Sequence, residues 1–418
     1  MWPLDRHGLP SINDSKDMNR LKIKTLLTCT MAILMVVSIV TSCSLGNRVS
    51  TAELEQIVQR DSVPFVMESI PAAVLNRLAS QRVVLVGELH FLREHRELMV
   101  QFLRELHARK FRQLLFEWTQ VADWLVDDFV LDGGLEPSWT PPLSIGGDMI
   151  TAIRDFNRTL PENERIQVRP IDVTLQDYGG AESFLYSLGA LTRHLPDPGP
   201  LSVFLQGDYD TSEKQKIQID ALRNELNASR SELIDSWGEH WYDTVVEMVE
   251  VELTSVSIRA IRDSDYDKSV RLREDAIKQL VDSRLKDYKY GTLINMGSTH
   301  AQKERLWGND IEWLGDYLVH KSEEAGGSVT VVMVSAAYIV SVPGSGIPDY
   351  DLKNSPENEL FRVMSETWPN QIVFLPVDDP VFSTKSVPIN NGGVIYVGAP
   401  KIHFDVFVLL PIAHRVPN

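Results

Sequence analysis

The sequence predicts an α/β protein with a central, mainly parallel β-sheet flanked by helices and carrying a helical insertion. Three observations lead there. Short apolar runs such as Val83-Val84-Leu85-Val86 are rich in β-branched residues and closed by glycine, and they read as strands buried on both faces. Helix-period segments alternate with them, as in Leu98, Phe102 and Leu106 after the first run. Such alternation belongs to parallel sheets with helices on both sides. Between about 212 and 287 the pattern turns helical and heavily charged with no strand-like run, which marks an insertion of several helices, among them Trp237-Gly238-Glu239-His240-Trp241 and Arg271 to Leu280.

Composition narrows the function. With 43% hydrophobic and 24% charged residues, this is a folded globular chain, long enough for one large α/β domain or two ordinary ones. The charge of 41 − 58 = −17, with no basic cluster after residue 50, argues against nucleic acid, whose phosphates require clustered Lys and Arg. Cys29 and Cys43 both precede the folded part, which therefore has no internal disulfide, zinc–thiolate site or cysteine nucleophile.

At the N-terminus, Lys22 and Lys24 precede an apolar run of 15 residues, Leu26 to Val40, and then Thr41-Ser42-Cys43-Ser44. Basic residues, a short apolar core and small residues form a secretory signal, and the run is shorter than the roughly 20 residues a spanning helix needs. Val40-Thr41-Ser42-Cys43 resembles a bacterial lipobox. Residues 1–43 are thus expected to be a lipoprotein signal peptide ending at a lipidated Cys43, with an uncleaved anchor as the other reading. Either way the folded part is extracytoplasmic and membrane-anchored, and Ser44 rather than Asp suits an outer membrane if the cell has one. Residues 1–17 are polar and unlike a signal, which makes Met18 an alternative start to Met1.

Residues 44–64 form a tether and lead-in, with a helix over Ala52 to Arg60, and the domain is expected over 65–411. Pro71 to Ser80 is a second helix. The strand from Val83 ends in Gly87-Glu88-Leu89-His90, and Gln113 to Glu117 is the next. Val121 to Val130 reads as a helix packing Trp124 and Phe129 inward, Gly133 to Gly147 as a proline-rich loop, and Asp148 to Leu160 as a helix. Ile166 to Val173 is a third strand, bearing Asp172. Leu201 to Leu205 reads as a fourth, running into Asp208 and Tyr209. After the insertion, Tyr288 to Met296 is a strand ending in Gly297-Ser298-Thr299-His300, the spacing of Gly87 to His90 again. Ile311 to Leu318 and Glu357 to Thr367 read as helices, and Pro343 to Pro356 as a loop. Val329 to Val334, Ile372 to Pro376, Val394 to Val397 and Phe404 to Leu410 read as strands or edge pieces.

Ligands of open α/β sheets bind at the carboxyl ends of strands. Glu88, His90, Glu117, Asp172 and His300 would converge there, and residues two apart on a strand share a face, which pairs Glu88 with His90. Two mechanisms follow, both hydrolytic. A histidine oriented by a carboxylate can act as general base on water. Alternatively, His90, Glu117 and His300 hold a divalent metal that lowers the pKa of bound water. No Gly-x-Ser-x-Gly elbow, Gly-x-Gly-x-x-Gly fingerprint or Walker A loop is present. Asp172 reads as a substrate contact or a helix cap, and Glu94 as a substrate contact or a first-turn partner of the helix dipole. Tyr209 and Asp208 read as pocket lining, and His240 as a cover of the pocket or a haem ligand. His95, His107 and His194 read as surface or packing residues.

The ordered set Gly87-Glu88-Leu89-His90, Glu117, Asp172 and Gly297-Ser298-Thr299-His300 resembles the superfamily of erythromycin esterase-like proteins, ChaN-like haem-binding lipoproteins, and TraB and Tiki proteins. The resemblance spans residues 65–411 in order of elements. Esterase members open a macrolactone with a histidine base and no required metal; their first motif has one more residue between Glu and His than this chain. Tiki proteins are metal-dependent proteases, which would map to His90 and Glu117. ChaN-like lipoproteins match Cys43 but are shorter. The late Gly-x-x-His, the insertion and Phe404-Asp405-Val406 look like the esterase group, and Arg271-Leu272-Arg273-Glu274-Asp275 is similar to a helix that group places near its site. The resemblance implies a lipid-anchored hydrolase of a small-molecule or peptide carbonyl substrate, with a haem- or iron-binding lipoprotein without turnover as the alternative.

Overall fold

The structure is a computed structural model that describes residues 48–131, 147–173, 180–207, 209, 211–305, 310–343, 345, 348–391, 394–396 and 398–416. The signal segment with Cys43, the expected loop between Gly133 and the start of the helix at Gly147, and Asp208 lie outside the described residues.

The strands run, in chain order, β1 Val63–Phe65, β2 Val83–Glu88, β3 Phe111–Thr119, β4 Gln167–Asp172, β5 Gly291–Gly297, β6 Val329–Ala336, β7 Ile339–Val340, β8 Ile372–Pro376, β9 Ile389–Asn391, β10 Val394–Tyr396, β11 Val406–Leu410 and β12 Ala413–His414. Eight of them form one sheet in the order β1-β8-β11-β6-β2-β5-β3-β4. From β11 to β4 every pairing is parallel, while β8 and β1 add antiparallel pairings at one edge. The organising strand β2 lies between β5 and β6.

Alternation along β2 explains its burial on both faces. Val84 and Val86 point into a layer with Leu98, Phe102 and Leu106 from the helix Arg93–His107. Val83 and Leu85 point into the other, with Ile277, Val281 and Leu285. Each such fully buried aliphatic side chain contributes about 1.5–3 kcal/mol. The helix Thr51–Asp61 packs Leu54, Ile57 and Val58 into the second layer and begins with a capping box between Ser50 and Glu53.

The insertion comprises the helices Ser212–Ala228, Arg230–Trp237, Glu239–Arg262 and Tyr266–Leu285. Thr211 and Asp265 cap the first and last of these through side-chain oxygens that accept from Lys214 N and Lys268 N. Gly238, at φ +84°, breaks what reads in sequence as one helix through Trp237 and Trp241.

One predicted strand is wrong. Leu201 to Leu205 lies in a short helix, Pro200–Phe204. Leu201 and Phe204, three apart, are buried while Val203 is 75% exposed, a helical pattern that so short an apolar run could not distinguish from a strand. Pro200 starts it, since a proline at the first helical position sacrifices no hydrogen bond.

Candidate active site

The site forms where β2, β5 and β3 end side by side. Glu88 closes β2 and is register partner to Gly297, the last residue of β5. Two close approaches set the packing. A Cβ on Gly87 would lie 2.8 Å from Ala301 Cβ and 2.9 Å from Ser298 Cα, so glycine lets the short helix Ser298–Ala301 cross the strand end. After His90 the chain turns through Phe91 at φ +65°, a left-handed conformation that costs a non-glycine residue about 1–2 kcal/mol, before entering the helix Arg93–His107. Backbone bonds from the C-terminal segment fix that turn: Val416 N donates to Phe91 O, and Leu92 pairs with Arg415.

His90 and Glu88 meet here, with Nδ1 of His90 2.9 Å from Oε1 of Glu88. The other oxygen of Glu88 is 3.0 Å from His95 Nε2 and accepts from Asn295 Nδ2 at 3.0 Å. His95 Nε2 is also 2.7 Å from Asn295 Oδ1. Glu88 is therefore gripped from behind by two buried side chains and presents one oxygen to His90. His90 itself is 47% exposed in its side chain, with Nε2 3.8 Å from Glu117 Oε2.

Behind His90 lies a buried charge cluster. Glu117 Oε2 accepts from the Gly297 amide at 2.6 Å, and Oε1 accepts from Arg273 Nη2 at 2.6 Å. The same guanidinium donates to both oxygens of Asp172, from Nε at 2.8 Å and Nη2 at 2.6 Å. His300 lies between two carboxylates, with Nδ1 2.6 Å from Glu274 Oε1 and Nε2 3.4 Å from Glu117 Oε1. Trp313 stands edge-on to its ring at 5.3 Å.

These contacts set the protonation states. Burial lowers the basicity of His90, but the Glu117 charge and the Glu88 hydrogen bond outweigh it and raise the imidazole to about 9. For His300, burial is outweighed in the same way by Glu274 and Glu117, and the ring is raised to about 10. Burial raises Glu88 and Glu117, yet the neighbouring histidines prevail and hold both below the usual carboxylate range. Burial prevails at Asp172, which is raised despite Arg273.

Of the residues singled out in sequence, Glu88, His90, Glu117, Asp172 and His300 are brought together. Glu94 is not: its carboxylate accepts from His414 N at 2.6 Å, sits 2.7 Å from His414 Nδ1 and pairs with Arg93, tying the helix start to β12. Tyr209 lies against Phe204 and donates its hydroxyl to the Phe204 carbonyl. Burial raises its phenol to about 12. His240 faces a separate cavity beside Trp241.

Four residues read as packing, or left out of the site, belong to it. His95 lies on the apolar stripe of its helix with Leu98, Phe102 and Leu106, and a polar group on a buried stripe requires a partner. Asn295, a polar residue in a buried strand, carries the same signal. Arg273 and Glu274 sit at the centre of the cluster, on the helix Tyr266–Leu285.

The set His90, Glu117 and His300 does not suit a dication. Both oxygens of Glu117 already accept hydrogen bonds, and Arg273 Nη1 lies 3.3 Å from His300 Nε2, so a metal would sit against a buried guanidinium. Among the described residues no group of three His, Cys, Asp and Glu side chains is arranged for a metal ion.

The chain shares its fold with solved structures that include an erythromycin esterase. It is similar to a solved succinoglycan biosynthesis protein at TM-score 0.61 and 13% identity, covering 87% of this chain and 98% of that one. A protein from Bacillus cereus gives TM-score 0.60 and 13% identity over 88% and 98%. A mutant of the erythromycin esterase EreC in its open conformation gives TM-score 0.55 and 14% identity over 82% and 94%. At these identities the likeness is one of fold. No family model and no curated protein matches the sequence.

Proposed function

We propose that this protein hydrolyses an ester or amide bond of a small-molecule or peptide substrate with water activated by His90. One observation carries the reading: His90 is half-exposed at the mouth of an otherwise buried charge cluster, its Nδ1 held by Glu88. A carboxylate on Nδ1 fixes the tautomer that leaves the Nε2 lone pair free. In its neutral form His90 removes a proton from water through Nε2 while the water oxygen bonds to the substrate carbonyl carbon. The carbonyl electron pair moves onto oxygen, and the fixed positive charges of Arg273 and His300 stabilise that oxyanion through the field they set at the strand ends. Collapse of the adduct breaks the bond to the leaving oxygen or nitrogen, which takes the proton from His90. Glu88 and Asn295 orient the base, and Glu117 and Asp172 anchor Arg273. The esterase among the structures that share the fold supports this class of reaction.

Replacement of His90 tests it. His90→Ala should lower turnover of the best substrate from a panel of esters, lactones and amides by about 10²–10⁴-fold, while its melting temperature stays near that of the parent. Full activity in the variant would sink the assignment.

The basic start, the apolar run and Val40-Thr41-Ser42-Cys43 further support export and a lipid on Cys43, with the site on the outer side of the membrane. Cys43→Ser should abolish incorporation of labelled palmitate and release the protein from the membrane fraction. Retention of the label would place the lipid elsewhere.

A further inference from the structure

His90 stands on a turn that is fixed from outside. Phe91, the next residue, is held at φ +65°, and a left-handed non-glycine residue persists only where its surroundings over-determine it. Those surroundings are the strand end 413–416. Val416 N donates to the Phe91 carbonyl at 2.9 Å, and Leu92 pairs antiparallel with Arg415. The strand end is itself anchored. Ala413 is fully buried and its amide donates to Tyr338 O at 2.9 Å, while Arg415 N donates to Val340 O at 2.9 Å, extending the pairing of β12 with β7.

Glu94 ties the far side of the turn to the same segment. Its Oε2 accepts from the His414 amide at 2.6 Å. Its Oε1 lies 2.7 Å from His414 Nδ1 and accepts from Arg93 Nη2 at 2.7 Å. Burial raises this carboxyl, but those hydrogen bonds prevail and hold it below the usual range, so it is charged throughout the range in which His90 titrates. Glu94 lies in the first turn of the helix Arg93–His107, and the next residue, His95, holds Glu88 through Nε2. His90 has two supports, its own backbone turn and the carboxylate on its Nδ1. Both lead back to 413–416.

We propose that Glu94 and the segment 413–416 position the catalytic base: they fix the turn at Phe91 so that the His90 imidazole stays against Glu88 and Glu117. Glu94 is thus a positioning residue that acts through His90, and the assignment rests on the hydrolytic reading.

The test titrates the His90 imidazole by NMR in histidine-labelled full-length protein in non-ionic detergent, with its resonance assigned from His90→Ala, and measures kcat and KM beside it. In Glu94→Ala the ring leaves the two carboxylates that raise it, so its midpoint should move about one pH unit toward the ordinary value of about 6.5. The turnover number should fall about tenfold while KM stays within about twofold of the parent. Val416→Pro, which removes the N–H on Phe91 O and leaves Glu94 in place, should move the midpoint and kcat in the same direction. Glu94→Gln should restore much of both, because its amide still accepts from His414 N and donates to Nδ1, although it lacks the charge that favours a helix start. An unmoved midpoint in folded Glu94→Ala and Val416→Pro would overturn the proposal. Equal losses in Glu94→Gln and Glu94→Ala would overturn it too, since Glu94 would then act only by its charge. Full activity in His90→Ala would instead remove the hydrolytic reading and the base with it, whereas an unmoved midpoint in an enzyme that depends on His90 removes the positioning alone.

Discussion

Gly297 leaves open the space that the His90 imidazole occupies: a Cβ at this position would stand 2.8 Å from Nε2 and 3.0 Å from Cε1 of His90. The strand that delivers one Gly-x-x-His motif thereby makes room for the histidine of the other. The obstacle is the end of a half-exposed side chain, which can swing away, so Gly297→Ala should cost little stability and misplace the base. A shift of this size lowers rates about 10²-fold. The measurement is kcat/KM alongside a melting curve; an unchanged kcat/KM would show that the position of His90 Nε2 is irrelevant to turnover.

A base raised to about 9 is largely protonated at neutral pH, and each pH unit below that value cuts its active form tenfold. The sign is fixed by the required state: kcat/KM should rise with pH and level off above about 9. Glu88→Gln removes a charge that holds the proton on His90, while the amide oxygen can still accept from Nδ1. Its rising limb should therefore move to lower pH, even as the plateau falls. A pH–rate profile of both proteins checks this, and a limb that stays in place would mean that Glu88 does not act through His90.

Arg273 is the buried cation on which two buried carboxylates depend. Removing one partner of such a cluster leaves uncompensated charge and typically costs 3–5 kcal/mol. Arg273→Met should lose about that much in urea unfolding, whereas Arg273→Met combined with Asp172→Asn should lose less than the two changes added together. Strict additivity would show that the pair is uncoupled.

How much of this was legible in the sequence follows from which forces act locally. The strands that bear Glu88, Glu117, Asp172 and the late Gly-x-x-His could be read because a strand buried on both faces is a short apolar run, whatever it pairs with. Leu201 to Leu205 failed under the same rule, because a run of five residues is too short to show a period and Pro200 was the better signal. Arg273 and Glu274 could be placed near the site only by resemblance. Arg273 reaches Glu117 across a separation of 156 residues, through tertiary packing of the insertion that no local pattern encodes. His95 was visible in principle as a histidine on an apolar stripe, yet its partner Asn295 lies 200 residues away.

His300 links the site to global stability. Its imidazole is raised to about 10 in the folded protein against about 6.5 when unfolded, because Glu274 and Glu117 flank its two nitrogens. A group held protonated by the fold contributes stability that is fully present below the unfolded value and lost as pH rises through the folded one. Unfolding free energy should therefore decline between about pH 6.5 and 10. His90, raised to about 9, adds the same sign over the lower part of that range, weakened by its exposure to solvent. His300→Gln retains hydrogen-bonding capacity but has no proton to lose, so its stability should be lower at pH 6.5 and should fall less steeply toward pH 10. Urea titrations of both proteins at several pH values measure the two slopes. Equal slopes would show that His300 does not carry its proton into the folded state, and the positive charge assigned to the site would then rest on Arg273 alone.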